Sequence, residues 1–285
     1  MASADVAPFD DLRAWAAQAA SAAGEKVEPL IARIERTPIA ATVLMHLLRA
    51  TEGISIESAL TAESLAYSTL QAGPEFRAWL AANRAVAPAK HSDTGPAVVM
   101  ERDGEQLRLE LNRPSLRNGM SVEMRDALME ALQLVLDDDS IREVTLSGRG
   151  KCFCTGGDLT EFGGFPDPAT AHVVRSLALP GRLLAYCADR VTVRMHGACV
   201  GSGLEFPAFA GRIVATSDAW FQLPELEFGL IPGAGGCVSV PRRIGTDRTA
   251  WLILSGKRID AKRARDWGLV DEIAAPNNPE THQLG

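Results

Sequence analysis

The sequence predicts an α/β fold in which a helical region precedes a region of alternating strands and helices. Residues 1–86 carry the signals of consecutive helices, whereas residues 97–285 begin with a strand hairpin and then alternate strand-like runs with helical segments. The polar stretch 87–96, with two prolines and one glycine, is predicted to link the two regions. This alternation places functional sites at the carboxyl ends of strands.

Cap residues, first-turn prolines and terminating glycines divide the amino-terminal region into separate helices. Thr37-Pro38, for example, is an N-cap followed by a first-position proline. The predicted helices occupy residues 10–24, 25–36, 37–53, 55–73 and 74–85.

After the linker, Asp103-Gly104 is a strong hairpin signal between two strand-like runs. The predicted strands are residues 97–101, 106–111, 144–147, 191–195, 219–221 and 270–273. The predicted helices are residues 121–136, 167–189 with a break at 179–181, 204–210, 246–254 and 260–267.

Composition narrows the functional class. The 285 residues suffice for one large domain or two small ones, and the net charge of −7 argues against non-specific nucleic-acid binding. No run approaches 18 uninterrupted apolar residues, and the first residues lack a basic start and an apolar core. We therefore expect no membrane span, no secretory signal and a cytoplasmic location.

The cysteines predict neither disulfides nor a metal site. Their number, five, is odd, and four of them have apolar or small neighbours, so we expect buried free thiols in a reducing compartment. Cys152 and Cys154 are too close in sequence for the usual zinc spacing, and no partner pair of Cys or His follows them.

The chain is organised around residues 197–236, where a small-residue turn follows the 191–195 strand. Because proline has no N–H and fits only the first turn of a helix, Pro207 predicts a helix that begins near Gly203. The free N–H groups of that turn would project from the Gly201-Ser202-Gly203 corner. Such preorganised donors suit a developing oxyanion.

Two glutamates, Glu205 and Glu225, lie in this stretch with mostly apolar flanks. A carboxylate in such surroundings is costly unless it is hydrogen-bonded, and its pKa rises. A pair of them is what proton transfer to and from a substrate requires. The alternative interpretation is a helix-start glutamate favoured by the helix dipole and an unrelated surface glutamate.

Five segments resemble the enoyl-CoA hydratase/isomerase, or crotonase, superfamily. They are GSGLE (201–205), LPE (223–225), GLIPGAGG (229–236), FCTGGDL (153–159) and LNRPSLRN (111–118). They stand in family order, which makes the match more specific than a lone glycine motif. The resemblance implies a crotonase-like repeated ββα superhelix with a helical oligomerisation region.

The resemblance also implies site residues. Glu205 and Glu225 would be catalytic, and the N–H groups of Gly157 and Ser202 would form the oxyanion hole. Ser202 and Thr155 depart from the family's glycine and alanine. The implied substrate- and CoA-binding residues are Ser115, Leu116, Arg117, Cys154, Gly156, Asp158, Leu159 and Gly201.

Arg113 and Arg117 lie in the segment that resembles the family's CoA-binding loop. They are candidates for the phosphates of coenzyme A. The alternative is that they are solvated surface arginines.

The order of the chain departs from the family. The resemblance covers about residues 97–273, and the family's carboxyl-terminal helices are missing after it, whereas residues 38–84 resemble them. We interpret the chain as a circular permutation of the family. An unrelated helical domain at the amino terminus is the alternative.

The predicted function is an enoyl-CoA hydratase acting on an acyl-CoA thioester, without metal or redox cofactor, in a homo-trimer or hexamer. Isomerisation, decarboxylation or thioester hydrolysis on the same fold is one alternative. A non-catalytic acyl-CoA-binding subunit is the other.

Overall fold

A computed structural model describes residues 7–83, 92–164 and 167–274. Its first five helices are α1 (Ala7–Ala23), α2 (Glu28–Ile34), α3 (Pro38–Ala50), α4 (Ile56–Gln71) and α5 (Pro74–Asn83). The predicted boundaries hold within a few residues, although the predicted N-cap Thr37 precedes α3 without a side-chain capping hydrogen bond. The Ser55 hydroxyl accepts the Ser58 N–H at 3.2 Å and caps α4. The first helix begins before Asp10, which lies in its first turn rather than at its cap.

The strands are β1 (Val98–Asp103), β2 (Gln106–Leu111), β3 (Glu143–Gly148), β4 (Val191–Met195), β5 (Ala198–Val200), β6 (Arg212–Thr216), β7 (Trp220–Gln222), β8 (Ile259–Asp260) and β9 (Glu272–Ala274). The larger sheet has the order β1-β2-β3-β4-β6-β9, and the smaller one has the order β5-β7-β8. The β1–β2 hairpin is antiparallel, as the Asp103-Gly104 turn predicted, and the other neighbours in the larger sheet are parallel.

The later helices are α6 (Val122–Asp137), α7 (Pro168–Leu177), α8 (Pro180–Tyr186), α9 (Ser202–Glu205), α10 (Gly236–Ile244), α11 (Thr246–Ser255) and α12 (Ala261–Trp267). The predicted break at 179–181 separates α7 from α8. Two expectations need correction. The helix expected at 204–210 is the single turn α9 followed by a 3₁₀ turn at Pro207–Phe209, and the last strand begins at Glu272 rather than at residue 270.

Helices α1–α5 pack directly on the strand-containing region. The most extensive contacts between the two regions are those of α1 with α11 and of α4 with α7, and α4 also contacts α10. The apolar side chains of Trp15, Leu47, Leu48 and Phe76 are buried in a hydrophobic core that both regions share. The region that holds the family-like motifs is therefore covered by the helices that precede it. The predicted linker 87–96 lies partly outside the described residues.

All five cysteines are buried and free, as the sequence predicted. Across the described ranges, no helix combines the length and the apolar character needed to cross a bilayer.

Candidate active site

A cavity of about 400 Å³ lies where two neighbouring strands of the smaller sheet end. Strands β5 and β7 are parallel, and the Gly201 N–H just after β5 donates to the carbonyl of Gln222, the last residue of β7, at 3.0 Å. Because parallel strands end at the same edge, the chain brings Glu205 and Glu225 to one place. The predicted residues that line the cavity are Gly156, Gly157, Asp158, Leu159, Gly201, Ser202, Glu205 and Glu225.

Two backbone N–H groups are available at this cavity. Neither the Gly157 N–H nor the Ser202 N–H has a hydrogen-bond partner among the described residues. Ser202 is the first residue of α9, whose amino-terminal N–H groups have no partner within the helix. Two such donors beside a cavity suit an oxyanion.

Serine is tolerated at position 202 because the unusual backbone conformation falls one residue earlier. Gly201 has φ of +51°, and Ser202 is not among the described non-glycine residues with positive φ. The departure from the family's glycine therefore carries no backbone strain.

The two carboxylates face one point beside Gly201. A Cβ atom at that glycine would lie 2.8 Å from Glu225 Oε1 and 4.0 Å from Glu205 Oε1. Any other residue at position 201 would intrude between the two acids. The arrangement places two carboxyl groups, a type of group that is able to transfer protons, beside the same point of the cavity.

Glu205 is held by backbone donors. Its side chain is buried, and its Oε2 accepts the N–H groups of Ala234 at 2.7 Å and Gly236 at 3.0 Å. Burial raises the pKa of Glu205 to about 7, although these donors stabilise the charged form and oppose the rise. At neutral pH both protonation states of Glu205 are therefore populated.

Glu225 has a different environment. It begins a 3₁₀ turn, Glu225–Phe228, and its Oε2 is buried without a hydrogen-bond partner among the described residues. Burial, and then the charge of Glu205, raise the pKa of Glu225 well above its ordinary value. A carboxyl in this position favours its protonated form, which can donate a proton.

Four predicted binding residues do not line the cavity. Cys154 is buried beneath the α9 turn, and Ser115 and Arg117 are exposed in the loop that precedes α6, with Leu116 half-buried between them. That loop still lies next to the site, because the Arg117 carbonyl accepts the Thr155 N–H at 3.2 Å.

Arg113 needs a correction. Its guanidinium is buried, pairs with Glu123 at 2.5 Å and donates to the carbonyl of Gly95 at 3.1 Å. It ties the loop to the segment that precedes β1, so it is not free to bind the phosphates of coenzyme A.

Sequence reasoning missed a cavity wall contributed by α4 and α7. Tyr67 and Gln71 on α4 line the cavity together with Arg175 on α7. The Arg175 guanidinium lies 4.3 Å from the centre of the Tyr67 ring and donates to Gln71 Oε1 at 3.0 Å. Helical spacing puts Tyr67 and Gln71 on one face of α4, but nothing in the sequence says what that face meets.

An aromatic cluster forms another part of the cavity wall. Phe162 and Phe228 line the cavity, and Trp79 of α5 packs on both, with ring centres 6.2 Å and 4.9 Å away. The amino-terminal helices thus line the cavity through α4, and α5 packs on two of its aromatic residues. Among the described residues, no group of three or more His, Cys, Asp or Glu side chains is placed to hold a metal ion.

Comparison with known proteins gives one consistent result. A family model described as enoyl-CoA hydratase/isomerase matches residues 104–284. The 2,3-dehydroadipyl-CoA hydratase of Escherichia coli (strain K12) is 31% identical over 176 residues, which are 62% of this chain and 68% of that protein. The 1,2-epoxyphenylacetyl-CoA isomerase of the same strain is 33% identical over 172 residues, 59% of this chain and 65% of that protein.

Structural comparison agrees. The crystal structure of enoyl-CoA hydratase from Thermoplasma volcanium GSS1 matches with a TM-score of 0.57 and 32% identity, and the match covers 63% of this chain and 72% of that chain. The family model does not reach α1–α5.

Proposed function

Because the chain belongs to the enoyl-CoA hydratase/isomerase family, we propose that it adds water across the 2,3 double bond of an enoyl-CoA thioester. Membership confirms the resemblance and the α/β, crotonase-like fold predicted from the sequence. Hydratases and isomerases are both among its relatives, so the choice of reaction depends on the site. The observation that favours hydration is the pair of buried carboxylates, Glu205 and Glu225, which face one point beside Gly201.

In the proposed reaction, the thioester oxygen accepts the N–H groups of Gly157 and Ser202, which stabilise the negative charge that develops on it. Ionised Glu205 takes a proton from water as the water oxygen bonds to C3. Protonated Glu225 delivers a proton to C2. The product is the 3-hydroxyacyl thioester, and exchange of one proton between the two acids restores the starting state.

Hydration needs both acids, whereas moving a double bond needs one group that carries a proton between two carbons. Hydration needs one ionised acid and one protonated acid, and the two glutamates differ in how readily they ionise. Backbone donors help Glu205 to ionise, while Glu225 has no such help at Oε2. This difference favours hydration over isomerisation.

The remaining expectations are part of the proposal. The chain would need no metal or redox cofactor, would work as a homo-trimer or hexamer, and would comprise helices 1–86, linker 87–96 and catalytic core 97–285. A circular permutation is supported by two observations. The family model begins at residue 104, and helix α4 lines the cavity from outside that match.

The test is turnover of a panel of 2-enoyl-CoA thioesters, followed by loss of the conjugated thioester absorbance. We expect hydration of at least one member, and a rate lowered by roughly 10²–10⁴ in a Glu205→Gln, Glu225→Gln double variant. Binding of the same thioesters without turnover would revive the non-catalytic alternative. A product with a moved double bond, a lost carboxyl group or free coenzyme A would identify one of the other reactions.

A further inference from the structure

A third buried glutamate reaches the same site from the amino-terminal helices. Glu63 lies on α4 and is 1% exposed. Its Oε1 accepts the Gly235 N–H at 2.7 Å, and its Oε2 accepts the Cys237 N–H at 2.7 Å. Glu63 does not line the cavity, so it is not placed to touch a substrate.

The N–H groups that donate to Glu63 alternate along one short segment with those that donate to Glu205. The N–H groups of residues 234 and 236 go to Glu205, and those of residues 235 and 237 go to Glu63. The segment leads into α10, whose first N–H groups have no partners within the helix. Two carboxylates from separate helices therefore fix one backbone segment from two directions.

We propose that Glu63 is a positioning residue for Glu205, acting through residues 234–237. This inference rests on the proposed hydratase reaction, in which Glu205 activates water. The Glu63 carboxylate holds the segment so that the Ala234 and Gly236 N–H groups meet Glu205 Oε2 and leave Oε1 facing the cavity. A small displacement of such a group lowers the rate on the order of 10².

The segment has little freedom to compensate for a lost acceptor. Gly235 has φ of +104°, and a Cβ atom there would lie 2.5 Å from the Phe209 ring. A Cβ atom at Gly236 would lie 2.7 Å from Glu205 Cγ. The backbone is packed against Glu205 itself, so any shift of the segment moves that side chain.

The other ionisable groups near Glu63 are Glu225, Tyr67, Cys237 and Arg175. Burial, and then the charge of Glu205, raise the pKa of Glu63 well above its ordinary value. The N–H groups of Gly235 and Cys237 and the nearby Arg175 oppose this rise, so replacement of Glu63 by Gln changes the hydrogen bonds to the segment as well as the charge. The amide of Gln offers one acceptor and one donor to two N–H groups, so one N–H loses its partner.

The experiment is Glu63→Gln in the full chain, with Glu57→Gln as the matched control. Glu57 is on the same helix but contacts the surface groups Arg182 and Tyr186. We expect Glu63→Gln to lower kcat on the order of 10² with little change in KM, and Glu57→Gln to behave as wild type. Added to Glu205→Gln, the Glu63 change should have almost no further effect, because the two residues act as a unit.

The pH profile distinguishes positioning from a charge effect. Weaker N–H donation to Glu205 raises its pKa, so the acidic limb of kcat should move upward by roughly one unit. Loss of a neighbouring negative charge would move the limb downward. An unmoved or lowered limb overturns the proposal, and so does an equal loss of activity in the wild-type and Glu205→Gln backgrounds.

Two further measurements keep the proposal testable if Glu63→Gln does not fold or the chain does not hydrate enoyl-CoA. Glu63→Asp keeps both acceptors but is one methylene shorter, and it should give an intermediate kcat and an intermediate limb. Wild-type kinetics of Glu63→Asp would overturn the proposal. Titration of Glu205 by ¹³C NMR needs no turnover. A higher pKa in the Glu63 variants supports positioning, and an unchanged one contradicts it.

Discussion

Helices α1–α5 and the strand-containing region build one cavity but contribute different things to it. The strand-containing region supplies the N–H groups of Gly157 and Ser202 and the carboxyl groups of Glu205 and Glu225, and most of these follow strand ends. The helices supply Tyr67, Gln71 and the carboxylate of Glu63. The proposed reacting groups thus come from backbone that the sheets fix, while the helices close and orient the site. Neither region alone is a complete site.

The largest effect is expected from a shortened chain that begins at Ala97 and therefore lacks helices α1–α5. We expect aggregation and no hydratase activity, because α10 and α11 lose the helices that cover them and Glu205 loses the support of Glu63. Co-expression of residues 1–96 as a separate chain should restore soluble, active protein. Light scattering measures the assembly state, and turnover of an enoyl-CoA thioester measures the activity. A soluble, active shortened chain of unchanged assembly state would rule out a role for the helices.

Replacing Glu205 or Glu225 tests whether the strand-containing region supplies the reacting groups. Glu225→Gln and Glu205→Gln should each lower kcat for hydration by roughly 10²–10⁴, the usual effect of a positioned acid or base. The double variant should be little worse than the less active single variant, because the acids act as a unit. Binding of a saturated acyl-CoA serves as the control and should change little. Full activity of Glu205→Gln alone would favour isomerisation over hydration, because one acid would then be sufficient.

The proposed oxyanion donation at position 202 should depend on the backbone N–H of Ser202 and not on its hydroxyl. Ser202→Pro removes the N–H and should lower kcat by roughly 10²–10³, while Ser202→Ala and Ser202→Gly keep most activity. Steady-state kinetics on the three variants separate the two roles, with melting temperatures to check folding. An inactive Ser202→Ala would mean that the hydroxyl itself takes part in the reaction.

The smallest expected effect concerns stability. Because the pKa of Glu225 is raised in the folded protein, its protonated form is favoured there, and stability is lost as the pH rises above the unfolded value. Glu225→Gln should therefore raise Tm by about 2–4 °C at pH 8 and by less at pH 5. Scanning calorimetry at both values measures it, with Glu57→Gln as the surface control. An equal change in Tm at both pH values would argue against a raised pKa.

The sequence predicted the part of the site that depends on local order. Glu205 and Glu225 each follow a strand of the smaller sheet, and specific glycine-rich segments precede Glu205 and follow Glu225. It did not predict Glu63, although a glutamate on the same face as Leu60 and Leu70 was an available signal. Spacing reveals that such a face is buried, but it does not reveal which N–H groups the carboxylate meets.

Arg113 is a case in which the sequence predicted a binding role that the packing of the fold does not allow. A positive residue in a loop that resembles a CoA-binding segment is a reasonable phosphate ligand, yet Glu123 and the Gly95 carbonyl occupy its guanidinium. Its pairing depends on how α6 and the segment before β1 pack around the loop. That packing is a tertiary property and is not encoded in the spacing of the motif.

The most direct test of the account is the product formed from crotonyl-CoA in deuterated water, analysed by NMR. Hydration by two acids predicts 3-hydroxybutyryl-CoA that carries one deuterium at C2, since Glu225 would deliver a solvent-derived proton there and the water oxygen would bond to C3. A 3-butenoyl thioester without a hydroxyl group at C3 would contradict the hydratase assignment, because it would mean that protons move between carbons and no water is added.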